Sequence, residues 1–135
     1  MVLTEQGKAD VLRIGQELAK RQLNIQQIWH SPKARAKQTA EIYASLLKIN
    51  ASNFIENKAL SMEGDIDHLY HEILESKIKN LMVVSHEPQL EELASLLITG
   101  SDHIPQVFFP TSGVAAFEQG PNWRYLWLLE PSVLE

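Results

Sequence analysis

The chain has no cysteine among its 135 residues, so disulfides, thiolate chemistry and cysteine-based metal centres are excluded. This agrees with a reducing, cytoplasmic setting, which is the expected location. No apolar run approaches the ~20 residues that span a bilayer. The first residues, Met1-Val2-Leu3-Thr4-Glu5, lack the basic stretch and following apolar stretch of a secretory signal. No membrane partner is expected. Basic residues are in the minority: 12 Lys and Arg against 17 Asp and Glu give a formal net charge of −5. Non-specific nucleic-acid binding draws most of its affinity from a basic surface, so no nucleic-acid partner is expected either. The chain also lacks internal repeats, low-complexity tracts and linkers rich in Gly, Ser or Pro.

What remains is the ordinary mix of a globular protein, 44% hydrophobic and 21% charged. The length suits one compact domain over residues 1–135. Helix and strand patterns alternate. Residues 4–22 read as a helix, with Val11, Leu12, Leu18 and Ala19 near helical spacing. Residues 26–30 (QQIWH) read as a short strand ending at Ser31-Pro32, where Ser31 is suited to cap a helix and Pro32 to start it. That helix, over about 32–48, would bury Ala36, Thr39, Ala40, Tyr43 and Leu47. A strand near 53–56 follows, then an amphipathic helix carrying Ile66, Leu69, Tyr70, Ile73 and Leu74. The run Leu81-Met82-Val83-Val84 reads as a strand covered on both faces. It leads into a helix over about 88–98 with Leu90, Leu93, Ala94 and Leu97 inside. Residues 114–118 and 123–129, split by Gln119-Gly120-Pro121-Asn122, read as an antiparallel hairpin on the sheet edge. Together these predict an α/β protein, a three-layer α/β/α sandwich with a mostly parallel sheet.

Ligands of open α/β sheets bind outside the carboxyl ends of the strands. Two turns carry polar groups there. In the first, Ser31-Pro32-Lys33-Ala34-Arg35-Ala36-Lys37-Gln38-Thr39, three cations sit at the positive end of a helix, costing roughly 0.3–1 kcal/mol each unless screened. A bound anion reverses that sign, and the planar fork of Arg35 suits a phosphate or carboxylate. The alternative is three solvated cations on a surface helix. In the second turn, Ser85-His86-Glu87-Pro88, His86 can donate to a phosphoryl oxygen, act as acid or base, or cap its helix. It is not part of a serine-hydrolase elbow, because no Gly-x-Ser-x-Gly is present. A third segment, Phe109-Pro110-Thr111-Ser112-Gly113, can add backbone N–H groups and two hydroxyls at the same edge.

Other candidates are weaker. Asp65, His68 and His71 share a helix face and could hold a metal, although Asp65 equally suits an N-cap and the face equally suits solvent. No metal and no cofactor are expected. His30 ends a strand at the functional edge. Trp29, Trp123, Tyr125 and Trp127 read as packing residues, and Glu91-Glu92 as a solvated helix face.

These stretches resemble the histidine phosphatase superfamily (phosphoglycerate mutase-like), and within it the small SixA-type phosphohistidine phosphatases. The similar segments are Leu3-Thr4-Glu5-Gln6-Gly7-Lys8-Ala9-Asp10, Ser31 to Ala40, Val83-Val84-Ser85-His86-Glu87-Pro88 and Thr111-Ser112-Gly113. They occur in the family's order. The resemblance implies a phosphate pocket in which Arg35 is the second phosphate-binding arginine and His86 the second histidine, both catalytic, and Ser31, Thr111 and Ser112 are further substrate-binding candidates, the last two on the closing loop. It implies a phosphate-bearing substrate, such as a phosphohistidine protein, and two-step transfer through an enzyme phosphohistidine. The short chain has no room for the covering insertions of larger relatives, which suits a protein-borne phosphoryl group. Glu63 and Asp65 are available carboxylates for a leaving group, and nothing in the sequence places either at the pocket.

One departure stands out. Family members begin with a strand ending in Arg-His-Gly, whose histidine is the nucleophile, and no Arg-His-Gly occurs in these 135 residues. The expectation is a domain that lacks the family's first strand, with a start upstream. A fragment completed by another chain and an inactive relative are the alternatives.

Overall fold

A computed structural model describes residues 3–21, 24–61, 64–85, 89–99, 114–119 and 123–129. The elements are α1 (Glu5–Lys20), β1 (Gln27–His30), α2 (Ala34–Leu47), β2 (Phe54–Glu56), α3 (Ile66–Ser76), β3 (Leu81–Val84), α4 (Gln89–Thr99), β4 (Val114–Gln119) and β5 (Trp123–Leu129).

Helix α1 starts where Thr4 accepts a hydrogen bond from the Gly7 N–H at 3.0 Å, with Glu5 in its first turn and Lys20 in its last. Both charges complement the helix dipole. Its buried stripe is Val11, Ile14, Gly15 and Leu18, a clean 11-14-15-18 spacing. Leu12 and Ala19, expected inside, lie one residue off that stripe, about 100° around the helix, and both are exposed.

Helix α2 corrects a second expectation. It begins at Ala34 with Lys33 as its N-cap residue, not with Ser31 as cap and Pro32 as first residue. Ser31 still belongs to the sheet: its N–H donates to the Val84 carbonyl at 3.0 Å. Its hydroxyl closes a local turn by accepting from the Lys33 N–H at 3.2 Å, a bond that competes with helix and delays it. Ala36, Ala40 and Tyr43 are buried as expected, while Thr39 and Leu47 are half-buried.

The three-stranded sheet is parallel, in the order β2-β1-β3. Side chains alternate across it. Ile28 and Val84 pack with Val11, Ile14, Leu18, Ala36, Ala40 and Tyr43 on the α1/α2 face. Trp29 packs with Leu60, Ile66, Leu69, Leu93 and Leu96 on the α3/α4 face, joined by Leu81 and Val83. The result is a three-layer α/β/α sandwich. Coverage on both faces of the sheet explains why β3 reads as an unbroken apolar run.

Handedness sets what lies beyond β3. The β1-α2-β2 and β2-α3-β3 crossovers move in opposite directions with their helices on opposite faces, as right-handed connections require. Helix α1 shares the face of α2, so a parallel strand leading into it belongs on the side of β1 away from β2, outside β3. Among the described residues no strand pairs with that edge of β3. Strands β4 and β5 pair with each other, antiparallel, as a separate two-stranded sheet with an irregularity between Ala116 and Phe117. The hairpin is therefore present, and among the described residues it is not hydrogen-bonded to the main sheet, whose edge it was expected to extend.

Tyr43 makes the α1/α2 layer sensitive to pH. It is 3% exposed, and burial pushes its phenol well above the ordinary value of 10.0. Below pH 10 both folded and unfolded chains keep the proton. Above it the unfolded chain loses the proton and the folded chain holds it, so stability falls by roughly 1.4 kcal/mol per pH unit. Tyr43→Phe should remove that component of the alkaline loss. Chemical denaturation of both proteins at pH 8 and 11 checks it; equal alkaline losses would refute it.

Candidate active site

Strands β1 and β3 are neighbours, yet α2 leaves β1 on one face and α4 leaves β3 on the other. Such a switch point opens a crevice at the carboxyl ends of the two strands. His30 and Val84 are register partners at those ends, and the Ser31 N–H to Val84 carbonyl bond ties the two exits together. The β1-α2 turn and the β3-α4 turn therefore begin side by side, as the sequence predicts.

Ser31 is wholly buried, and each of its polar groups is engaged. The N–H meets Val84, the hydroxyl meets the Lys33 N–H, and the carbonyl lies 2.9 Å from the His30 Nδ1. On the far side, Ser85 Oγ donates to the Leu60 carbonyl at 3.3 Å. Leu60 closes a short 3-10 turn (Lys58–Leu60), held to the sheet by the Asn57 N–H on the His30 carbonyl at 2.9 Å. Serine and asparagine thus fasten the rim, leaving the cations outermost.

Arg35 is the second residue of α2 and is exposed, as are Lys33 and Lys37. Among the described residues its guanidinium meets no hydrogen-bond or ion-pair partner. The start of α2 has no acidic residue in its first turn and no side-chain cap, whereas Thr4 caps α1 and Asp65 caps α3. The first backbone N–H groups of a helix have no acceptor within it. Here they stand beside a guanidinium and two ammonium groups, an arrangement that favours a bound oxyanion.

Gln38, one turn beyond Arg35, carries a tie that sequence reading missed. Its Oε1 accepts the Leu3 N–H at 2.7 Å and so anchors the entry to α1 on α2. The partners are 35 residues apart, and no periodicity signals such a pair. His86, Thr111 and Ser112 lie outside the described residues, as does Glu63. His30 is 2% exposed, with its ring centroid 4.6 Å from that of Phe54. The Asp65 carboxylate accepts the Asp67 N–H at 3.0 Å, so it serves as a helix cap. His68 and His71 are exposed, and no three metal-ligating side chains cluster among the described residues. Trp29 is core, its indole N–H donating to Gln27 Oε1 at 3.0 Å.

The model of the histidine phosphatase superfamily (branch 1) matches residues 1–72, just over half of the chain. The chain belongs to the histidine phosphatase superfamily. The matched part includes the whole Ser31–Ala40 turn; the His86 turn lies beyond it. Among solved structures, the superfamily fold recurs in the protein histidine phosphatase SixA complexed with tungstate, at TM-score 0.86 and 24% identity over 99% of this chain and 86% of that one. It recurs in a protein described as a phosphohistidine phosphatase, SixA, from Agrobacterium tumefaciens, at TM-score 0.77 and 26% identity over 96% of this chain and 87% of that one. No curated protein matches the chain in sequence. Membership and the shared fold support phosphatase-type activity in general. Among the described residues no helix is long and apolar enough to cross a membrane.

Proposed function

We propose that this chain, as one domain over residues 1–135, is a cytoplasmic phosphohistidine phosphatase of the SixA type. It removes a phosphoryl group from a protein histidine or a related small phosphoester. The observation that carries this reading is the uncapped, cationic start of α2, pinned through Ser31 to the end of β3 at the switch point of the sheet. In that reading Arg35 grips two phosphoryl oxygens with its fork, and His86 donates to a third and offsets charge as the transfer proceeds. Ser31 fixes the turn, and Thr111 and Ser112 close the pocket. By the resemblance, the phosphoryl group passes from the substrate to the imidazole of the family's Arg-His-Gly motif, which these 135 residues do not contain, and from there to water, with no metal.

One observation favours a second reading, an inactive module that binds a phosphorylated protein: the 135 residues contain no Arg-His-Gly. Without that imidazole, Arg35 and His86 bind phosphate and do not turn it over. By the handedness of α1, a strand bearing the motif has its place at the outer edge of β3, beside Ser85. The two readings separate in one experiment on the purified chain with a phosphohistidine peptide. Turnover abolished by His86→Ala supports the phosphatase, with another residue standing in for the missing nucleophile. Saturable binding without release of phosphate supports the module.

A further inference from the structure

Ser31 is where the chain leaves the sheet. Its carbonyl precedes Pro32 and is buried with the rest of the residue. A buried carbonyl needs a donor, and among the described residues the one that meets it is the imidazole of His30, whose Nδ1 lies 2.9 Å away. The imidazole is itself held in place, 2% exposed and packed on Phe54. An aliphatic side chain at position 30 would fill the same space and leave the carbonyl unpaired. The bond also completes a three-point pin on Ser31, whose other two anchors are β3 and the first turn into α2. Loosening one anchor frees the Ser31–Pro32 peptide to rotate and shifts the start of α2, which carries Arg35.

We infer that His30 is a positioning residue for the anion site: its Nδ1–H holds the Ser31 carbonyl and thereby aims the opening turn of α2 and the Arg35 guanidinium. This rests on the reading of that turn as a phosphate site. The bond requires the Nδ1–H tautomer, whereas an unconstrained neutral imidazole favours Nε2–H.

Two measurements on the 135-residue chain test it. The first is the tautomer of His30 at neutral pH, read from long-range proton–nitrogen correlation in the imidazole. Nδ1–H is expected, and Nε2–H would overturn the inference whatever the anion does. The second is the affinity for inorganic phosphate in a series at position 30. His30→Asn places an amide donor where Nδ1 stands and should bind within about twofold of the parent, while His30→Gln and His30→Leu should bind about fivefold more weakly, the loss typical of one unmade neutral hydrogen bond. His30→Gln serves if His30→Leu does not fold. Equal affinity across the series, with Arg35→Ala still weakened, would overturn the role of His30 alone. Unchanged affinity in Arg35→Ala, or no phosphate binding by the parent, would instead remove the site, and the inference with it.

Discussion

Arg35→Ala should weaken binding of phosphate or vanadate at least tenfold, about 1.4 kcal/mol. The guanidinium is exposed and, among the described residues, without a protein partner, so removing it breaks no internal ion pair and should leave the unfolding temperature nearly unchanged. Arg35→Lys keeps the charge and loses the two-pronged grip, so it should recover only part of the affinity. Lys37→Ala, two residues on and also exposed, removes a long-range attraction alone and should cost less than either, with its effect fading as salt is raised. Calorimetric titration of the four proteins with phosphate orders them. An Arg35→Ala protein that binds as the parent does would take Arg35 out of the site.

The largest stability loss is expected from Gly64→Ala. A methyl group there would overlap the backbone carbonyl of Ala59, in a loop closed by the Gly64 N–H on the Ser61 carbonyl at 2.9 Å. Neither atom belongs to a side chain that can swing away, so the backbone itself must move, at a cost of roughly 3 kcal/mol. Gly15→Ala is the informative contrast. Its methyl would approach Leu46 Cδ1 at 2.5 Å and Tyr43 Cδ1 at 3.2 Å. The nearer atom is the tip of a flexible chain, and the helix gains about 1 kcal/mol in propensity when Gly becomes Ala. Urea denaturation should therefore show a large drop for Gly64→Ala and a change within about 1 kcal/mol for Gly15→Ala. Similar values for the two would contradict the packing described around Ala59.

How far the sequence could be read varied with the kind of signal. Helices α1, α3 and α4 follow from apolar spacing, and β1 and β3 from short apolar runs before Ser-Pro and Ser-His, because burial imposes those periods directly. The start of α2 did not follow. Ser31 has the chemistry of a cap, but its hydroxyl is taken by a local turn at the Lys33 N–H, and its N–H bonds to Val84, which depends on which strand lies next to β1 and is encoded in no local pattern. The stripe of α1 was misjudged for a related reason: Leu12 is as apolar as Ile14, and only the direction of the sheet decides between them. At the site, the cationic turn was legible because three basic residues at a helix start contradict the dipole, a conflict visible in one line of sequence. The Gln38–Leu3 tie and the His30–Ser31 pin were not, since both turn on a backbone group, part-buried at Leu3 and buried at Ser31, whose need for a partner appears only after folding.

The proposed convergence of Arg35 and His86 on one anion is tested most directly by a double-mutant cycle on phosphate affinity. The dissociation constant is measured for the parent, Arg35→Ala, His86→Ala and the double variant. Two groups gripping the same oxyanion should be coupled by at least about 0.5 kcal/mol, the double variant losing less than the sum of the single losses. Losses that add to within about 0.3 kcal/mol, or a His86→Ala protein that binds phosphate as the parent does, would mean that the two turns serve different ends and that the shared pocket does not exist.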